Sequence, residues 1–278
     1  MKRFAFPAVV LFLFVISKPV HAQTLEAADV HEVKPVLPQP GPSPQPVMTP
    51  RQVAEMRADI LVARKMYPQA IRVYLQLVKT NKKNTMLLNK LGVTYEDYGN
   101  KGRAEHWFKQ AIKTNKTFAS AYNNVGTVEY AKRHYKNAVK WYQEALQLQP
   151  DGSVAAPAYS NMGYAYFAWK KYPQAIAAFE NALKIDPQIL TEAGSANGSI
   201  LRQTGTTDPG LFYFFVARTY ALLGDAAPAA HYLKMARDIG YKKFVSAKTD
   251  PAFAKVIKDP RVQAVFQPVT VMSSSSHN

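Results

Sequence analysis

One alanine recurs along the chain with an aromatic residue four places after it. The pairs are Ala70 and Tyr74, Ala104 and Phe108, Ala138 and Tyr142, and Ala175 and Phe179; Ala229 and Leu233 repeat the pattern with an aliphatic variant. The first three alanines stand 34 residues apart and the next step is 37, with the extra residues near Asp151, Gly152 and Ser153. Twelve places before each alanine sits a small residue: Ala58, Gly92, Gly126, Gly163 or Ala217. Four places before that comes a larger one in four cases, Leu88, Tyr122, Tyr159 and Tyr213. Seven after each alanine stands Leu77, Ala111, Ala145, Ala182 or Ala236, and Pro150 and Pro187 close two of the units. A fixed period of this length means one supersecondary unit, copied and stacked, because one unit alone cannot bury its apolar face.

The spacing predicts two antiparallel helices per unit. Small side chains let the two helices approach, the aromatic fills the next gap, and proline ends the second helix because it cannot continue it. Nearly all of these residues are therefore expected in the core.

The pattern resembles the tetratricopeptide repeat over about residues 51–243. The resemblance implies an all-α fold, a TPR α-solenoid of about five helix-turn-helix repeats at 51–84, 85–118, 119–152, 156–189 and 210–243. Departures are visible. Leu61 and Glu129 stand where an aromatic is expected, with Tyr130 one place on, and Lys82, Lys116 and Tyr241 replace the closing proline.

The flanks read differently. Residues 1–22 have the layout of a secretory signal: a basic start at Lys2 and Arg3, an apolar run, and a small-residue site ending at Ala22. The run is shorter than the roughly 20 residues of a membrane-spanning helix. An exported chain, periplasmic or secreted, cleaved after Ala22, is the expectation. Residues 23–50 form a proline-rich linker, extended because proline fixes φ and lacks a donor. Residues 190–209, rich in Gly, Ser and Thr, read as a loop inside the array. In 244–270, Asp250-Pro251 and Asp259-Pro260 each predict the start of a short amphipathic helix. Phe253, Val256, Ile257, Val262, Val265 and Phe266 would then cover the last repeat. This stretch also looks like the end-of-array segment of many bacterial tetratricopeptide proteins. Residues 271–278 are expected to be a disordered tail.

Chemistry is scarce in the sequence. There is no cysteine, which removes disulfides and thiolate ligands. Of the histidines, His106 and His231 fall at equivalent places, two after the alanine, on what is expected to be a solvated face; His134 forms no metal-binding spacing with them. Glu96 and Asp97 are adjacent on a helix and point in different directions. No phosphate loop or nucleophile elbow occurs, so no enzyme activity, no cofactor and no metal are expected. The formal charge is +16. Removal of Lys2, Arg3 and Lys18 would leave 32 basic against 19 acidic residues, or +13. Such a balance favours acidic partners in general.

The resemblance implies a binding groove lined by the first helices. On the positions that face inward in that family, the partner-binding residues are Asn89 and Lys90 in unit two and Asn123, Asn124, Thr127 and Tyr130 in unit three. Unit four supplies Ser160, Asn161, Tyr164 and Phe167, and unit five Phe214, Phe215 and Arg218. The set of lysine, asparagine and arginine used by the chaperone-tail-binding subset is not matched, since Asn89 and Pro157, or Glu55 and Ser120, stand at its lysine places. The expected function is a cell-envelope scaffold or adaptor that holds a protein or peptide in that groove. The rival reading is a polyanion- or anionic-surface-binding module using the basic face; an acidic partner or a cell-envelope polymer would suit it, and nucleic acid is not favoured.

Overall fold

A computed structural model describes residues 48–190 and 208–268. The expected signal, the body of the linker, the residues 191–207 and the tail lie outside the described residues.

Ten helices form five hairpins: α1 (Pro50–Ala63) with α2 (Tyr67–Thr80), α3 (Thr85–Asp97) with α4 (Lys101–Thr114), α5 (Ala119–Ala131) with α6 (Tyr135–Leu148), α7 (Ala155–Ala168) with α8 (Tyr172–Ile185), and α9 (Pro209–Leu223) with α10 (Ala226–Asp238). The closest packing within a hairpin is also the main contact in the array, and each second helix packs on the next first helix.

Close approach explains the small residues. A Cβ added at Gly92, Gly126 or Gly163 would meet the rings of Phe108, Tyr142 or Phe179 at 2.5 Å. The recurring alanine and ring are fully buried in all these units, and a core that dense tolerates no extra methyl without repacking.

Helix starts follow local chemistry. Asn84 and Asn100 accept from the backbone N–H of Leu87 and Arg103 at 3.0 and 3.1 Å. Thr49 and Gln52 form a capping box at α1, so the array begins at Pro50, one residue inside the expected linker. Each hairpin turns through a residue of positive φ. Gly99 and Gly224 take it without strain, whereas Lys65, Arg133 and Lys170 adopt φ of 57°, 65° and 59°. A non-glycine residue there costs about 1 kcal/mol.

Leu190, the first residue of the expected inner loop, is buried with Ile189, and its carbonyl accepts from the Tyr232 hydroxyl at 2.7 Å. After α10 the chain makes two 3₁₀ segments, Lys242–Lys248 and Pro251–Phe253, then α11 (Pro260–Ala264). The first Asp-Pro segment was expected to open a helix and instead forms a single 3₁₀ turn. Asp250 still caps it, accepting from Ala252 N at 2.9 Å, and Asp259 caps α11 through Arg261 N at 2.9 Å. Phe253, Val256, Val262 and Val265 are buried, with Ile257 and Phe266 packed beside them. At the other end, Val53, Met56 and Ile60 of α1 are exposed, and nothing among the described residues covers them.

Candidate functional site

First helices of successive repeats touch along one face, and the side chains there tie each repeat to the next. The tie changes in kind along the array. Between units one and two, Lys90 Nζ lies 2.9 Å from Glu55 Oε1 and 2.8 Å from Asp59 Oδ2; Asp59 also accepts from the Tyr74 hydroxyl. Between units two and three, Asn124 Nδ2 donates to Asn89 Oδ1 at 3.0 Å. Between units three and four, Asn161 Nδ2 donates to Asn123 Oδ1 at 3.1 Å, and Asn123 Nδ2 reaches Asn124 Oδ1 at 3.4 Å. Four amides thus form one chain across three helices.

Between units four and five the tie is aromatic. Phe167 packs edge-on against Phe212 and Phe215 at 5.4 and 5.7 Å, Tyr172 stacks on Phe215 at 4.8 Å, and Tyr164 stacks on Phe212 at 5.4 Å. Phe214 turns to Tyr241 and Phe253. At the end, Arg218 pairs with Asp250 of the capping segment at 2.9 Å.

Of the residues expected to line a groove, Asn123, Thr127, Tyr130, Ser160, Asn161, Tyr164, Phe167, Phe214 and Phe215 are buried. Thr127 Oγ1 donates back to the Asn123 carbonyl at 3.1 Å. Asn89, Lys90, Asn124 and Arg218 are half-buried. The accessible part of this face lies in units one to three. Met86, 51% exposed, stands one helical turn before Asn89 on α3, and half-buried Val93 stands one turn after it.

Glu96 has a different environment. It sits on α3 at the place equivalent to Tyr130 and Phe167, four after the small residue. Burial, with the neighbouring Asp97 carboxylate adding to it, pushes its pKa up to about 8. Its Oε2 has no hydrogen-bond partner among the described residues, whereas Asp97 is exposed. Glu129, where an aromatic was expected, is buried and used: it holds Lys132, His134 and Asn137 at 3.4, 3.2 and 3.3 Å.

Sequence reasoning missed Glu55 and Asp59 as partners of Lys90, and Phe212 and Tyr172 as partners of Phe167. It also passed over the exposed Met86. The four-residue spacing from the small residue would have found Glu96. Among the described residues no group of three His, Asp or Glu side chains could hold a metal ion, and no helix is long and apolar enough to cross a membrane.

Stacked hairpins tied face to face define a helical-repeat protein. The chain carries the tetratricopeptide repeat: residues 87–118 and 117–188 each match a sequence model of that repeat. No curated protein matches the chain significantly. Among solved structures it is similar to MamA, with 24% identity over 71% of this chain and 98% of that one and a TM-score of 0.45. Pseudomonas aeruginosa PilF shares 17% identity over 72% of this chain and 96% of that one, TM-score 0.47. YrrB, described as a tetratricopeptide-repeat protein with an unusual peptide-binding site, shares 16% over 71% and 91%, TM-score 0.44.

Proposed function

We propose that the array is a protein-interaction scaffold that holds an extended peptide across the first helices of units one to three, without catalysing a reaction. One observation carries this reading: the amide chain ends at half-buried Asn89, whose Nδ2 has no partner among the described residues, one helical turn from the exposed Met86. An amide can donate to and accept from peptide backbone, and unbranched methionines adapt to varied side chains. The repeat itself supports the coarse reading, since tetratricopeptide arrays generally act by binding.

The aromatic residues of units four and five have a different role here. Their rings are spent on one another, so they stiffen the array and do not meet the ligand. We further propose, on the sequence of residues 1–22 alone, that the chain works outside the cytoplasm. Fractionation with N-terminal sequencing checks that part: a mature protein beginning at Gln23 supports it, and an intact cytoplasmic chain refutes it.

The test of the binding face is capture from the cell's own envelope fraction at low and high salt, beside an Asn89→Ala, Asn124→Ala variant. A protein retained in high salt and lost by the variant supports the peptide face. Retention of charged polymers only, released by salt and indifferent to the substitutions, refutes it and favours the basic surface.

A further inference from the structure

A second surface lies along the turns that join the two helices of each unit. The turns of units two, three and four adjoin. Lys101 Nζ donates to the Ala131 carbonyl at the end of α5 at 3.2 Å, and Lys132 pairs with Glu105 in the first turns of α4. Between units three and four the edge opens into a cleft of about 390 Å³ lined by Arg133, His134, Tyr135, Lys136, Asn137 and Trp169.

The charge along this edge is one-sided. Lys101 and Arg103 are exposed at the second turn, Arg133 and Lys136 at the third, and Lys170 and Lys171 at the fourth. Asp97 is the exposed carboxylate opposing them. Glu129 and Glu105 are already bound to Lys132, Lys109 and His134. Two exposed rings occupy equivalent places at the edge, Tyr98 at 54% and Trp169 at 38%. Trp169 is held face-parallel to Tyr166 at 6.5 Å, and Lys171 Nζ sits 5.5 Å from its ring centre. At the strained positive-φ place, where units two and five use glycine, units three and four carry Arg133 and Lys170. The fold alone would favour glycine there, and the cations have no ion-pair partner among the described residues.

We infer that this edge, centred on the cleft of Arg133, Lys136 and Trp169, binds an extended acidic peptide segment that seats an apolar side chain against Trp169. Cations line three consecutive turns, whereas the large exposed rings, Tyr98 and Trp169, stand at the second and fourth; the third carries the His134 imidazole, which is held by Glu129. That pattern suits a chain of carboxylates with an occasional apolar side chain. A nucleic acid would present a base at every residue and would need a platform at every unit. The surface is separate from the first-helix face and does not depend on its role.

The experiment uses the full chain and a fluorescein-labelled peptide of four Glu-Glu-Leu triplets, read by fluorescence anisotropy at low salt. Three protein forms are compared: the parent, an Arg133→Gly, Lys170→Gly double variant, and Trp169→Ala. Glycine suits both backbone positions, so the double variant should keep or raise its melting temperature while its affinity for the peptide falls at least tenfold. Trp169→Ala should weaken binding about fivefold, and Asn89→Ala, Asn124→Ala should leave it unchanged. A Gln-Gln-Leu version of the peptide should not bind. The inference is overturned if the parent fails to bind the peptide or if the double variant binds it as tightly as the parent. It is also overturned if oligothymidylate or a sulfated polysaccharide displaces the peptide at a tenfold lower concentration of charge, which would assign the edge to that polymer.

Discussion

The first-helix face of units one to three and that of units four and five occupy the same positions on the same scaffold, and they end up doing opposite things. In the first region Lys90 and the amides of Asn89, Asn123 and Asn124 each reach one neighbouring repeat and leave Met86 exposed and Val93 half-buried. In the second, Phe167, Phe212, Phe215 and Tyr172 fill the space between repeats and close it. The apolar core divides in a similar way, one cluster running from unit one into unit three and the other from unit three to the cap. A polar tie directs its few bonds at fixed partners and leaves the space beside them open. An aromatic tie has no such limit and buries whatever adjoins it.

The sharpest way to break this comparison is at Phe167. Phe167→Ala removes a buried ring from the aromatic step and should cost about 3–4 kcal/mol in chemical denaturation. Hydrogen exchange should accelerate in α7–α9 and stay near the parent rate in α1–α4. A uniform change would show the two regions to be one cooperative unit.

The next effect comes from the equivalent residue in the polar region. The Glu96 carboxyl holds its proton in the folded chain up to about pH 8, while in the unfolded chain it ionises near its usual 4.5. Its raised pKa therefore costs nothing below 4.5. It lowers stability progressively as pH rises to about 8, and by a constant amount beyond. Glu96→Gln should accordingly stabilise the protein by on the order of 3 kcal/mol at pH 8 and by almost nothing at pH 4. Equal gains at both values would mean that the site is not protonation-linked.

The smallest effect tests the ion-pair tie. Lys90 is about one-third exposed, so Lys90→Met should change stability by less than about 1 kcal/mol, and the difference should shrink further in high salt. A loss as large as that of Phe167→Ala would erase the distinction between the two kinds of tie.

Much of the fold could be read from spacing alone. The small residue and the ring it faces lie 16 places apart, within one hairpin, and that distance is short enough for local pattern to decide the contact. The state of the first-helix face could not be read that way. Whether Tyr164 or Phe215 meets solvent depends on a residue in another repeat, Phe212 for the first and Tyr172 for the second, which carries no mark in the repeat pattern. Position on the helix predicted that Asn161 and Ser160 would face inward; their complete burial was invisible. Glu129 broke the aromatic pattern because a cluster of Lys132, His134 and Asn137 could hold its charge, and those partners come from the following turn. The first Asp-Pro segment shortened to one turn where Asp250 both caps Ala252 N and receives Arg218 from α9.

The graded ties also set an order of events during synthesis. In a linear array each unit is held by its neighbours, so a unit becomes secure only when the stronger step beside it exists. Here the steps joined by amides and a lysine leave the ribosome first, and the interlocked rings of α7–α9 arrive last. Folding of this chain should therefore be sealed from its C-terminal half backward, against the direction in which it is made.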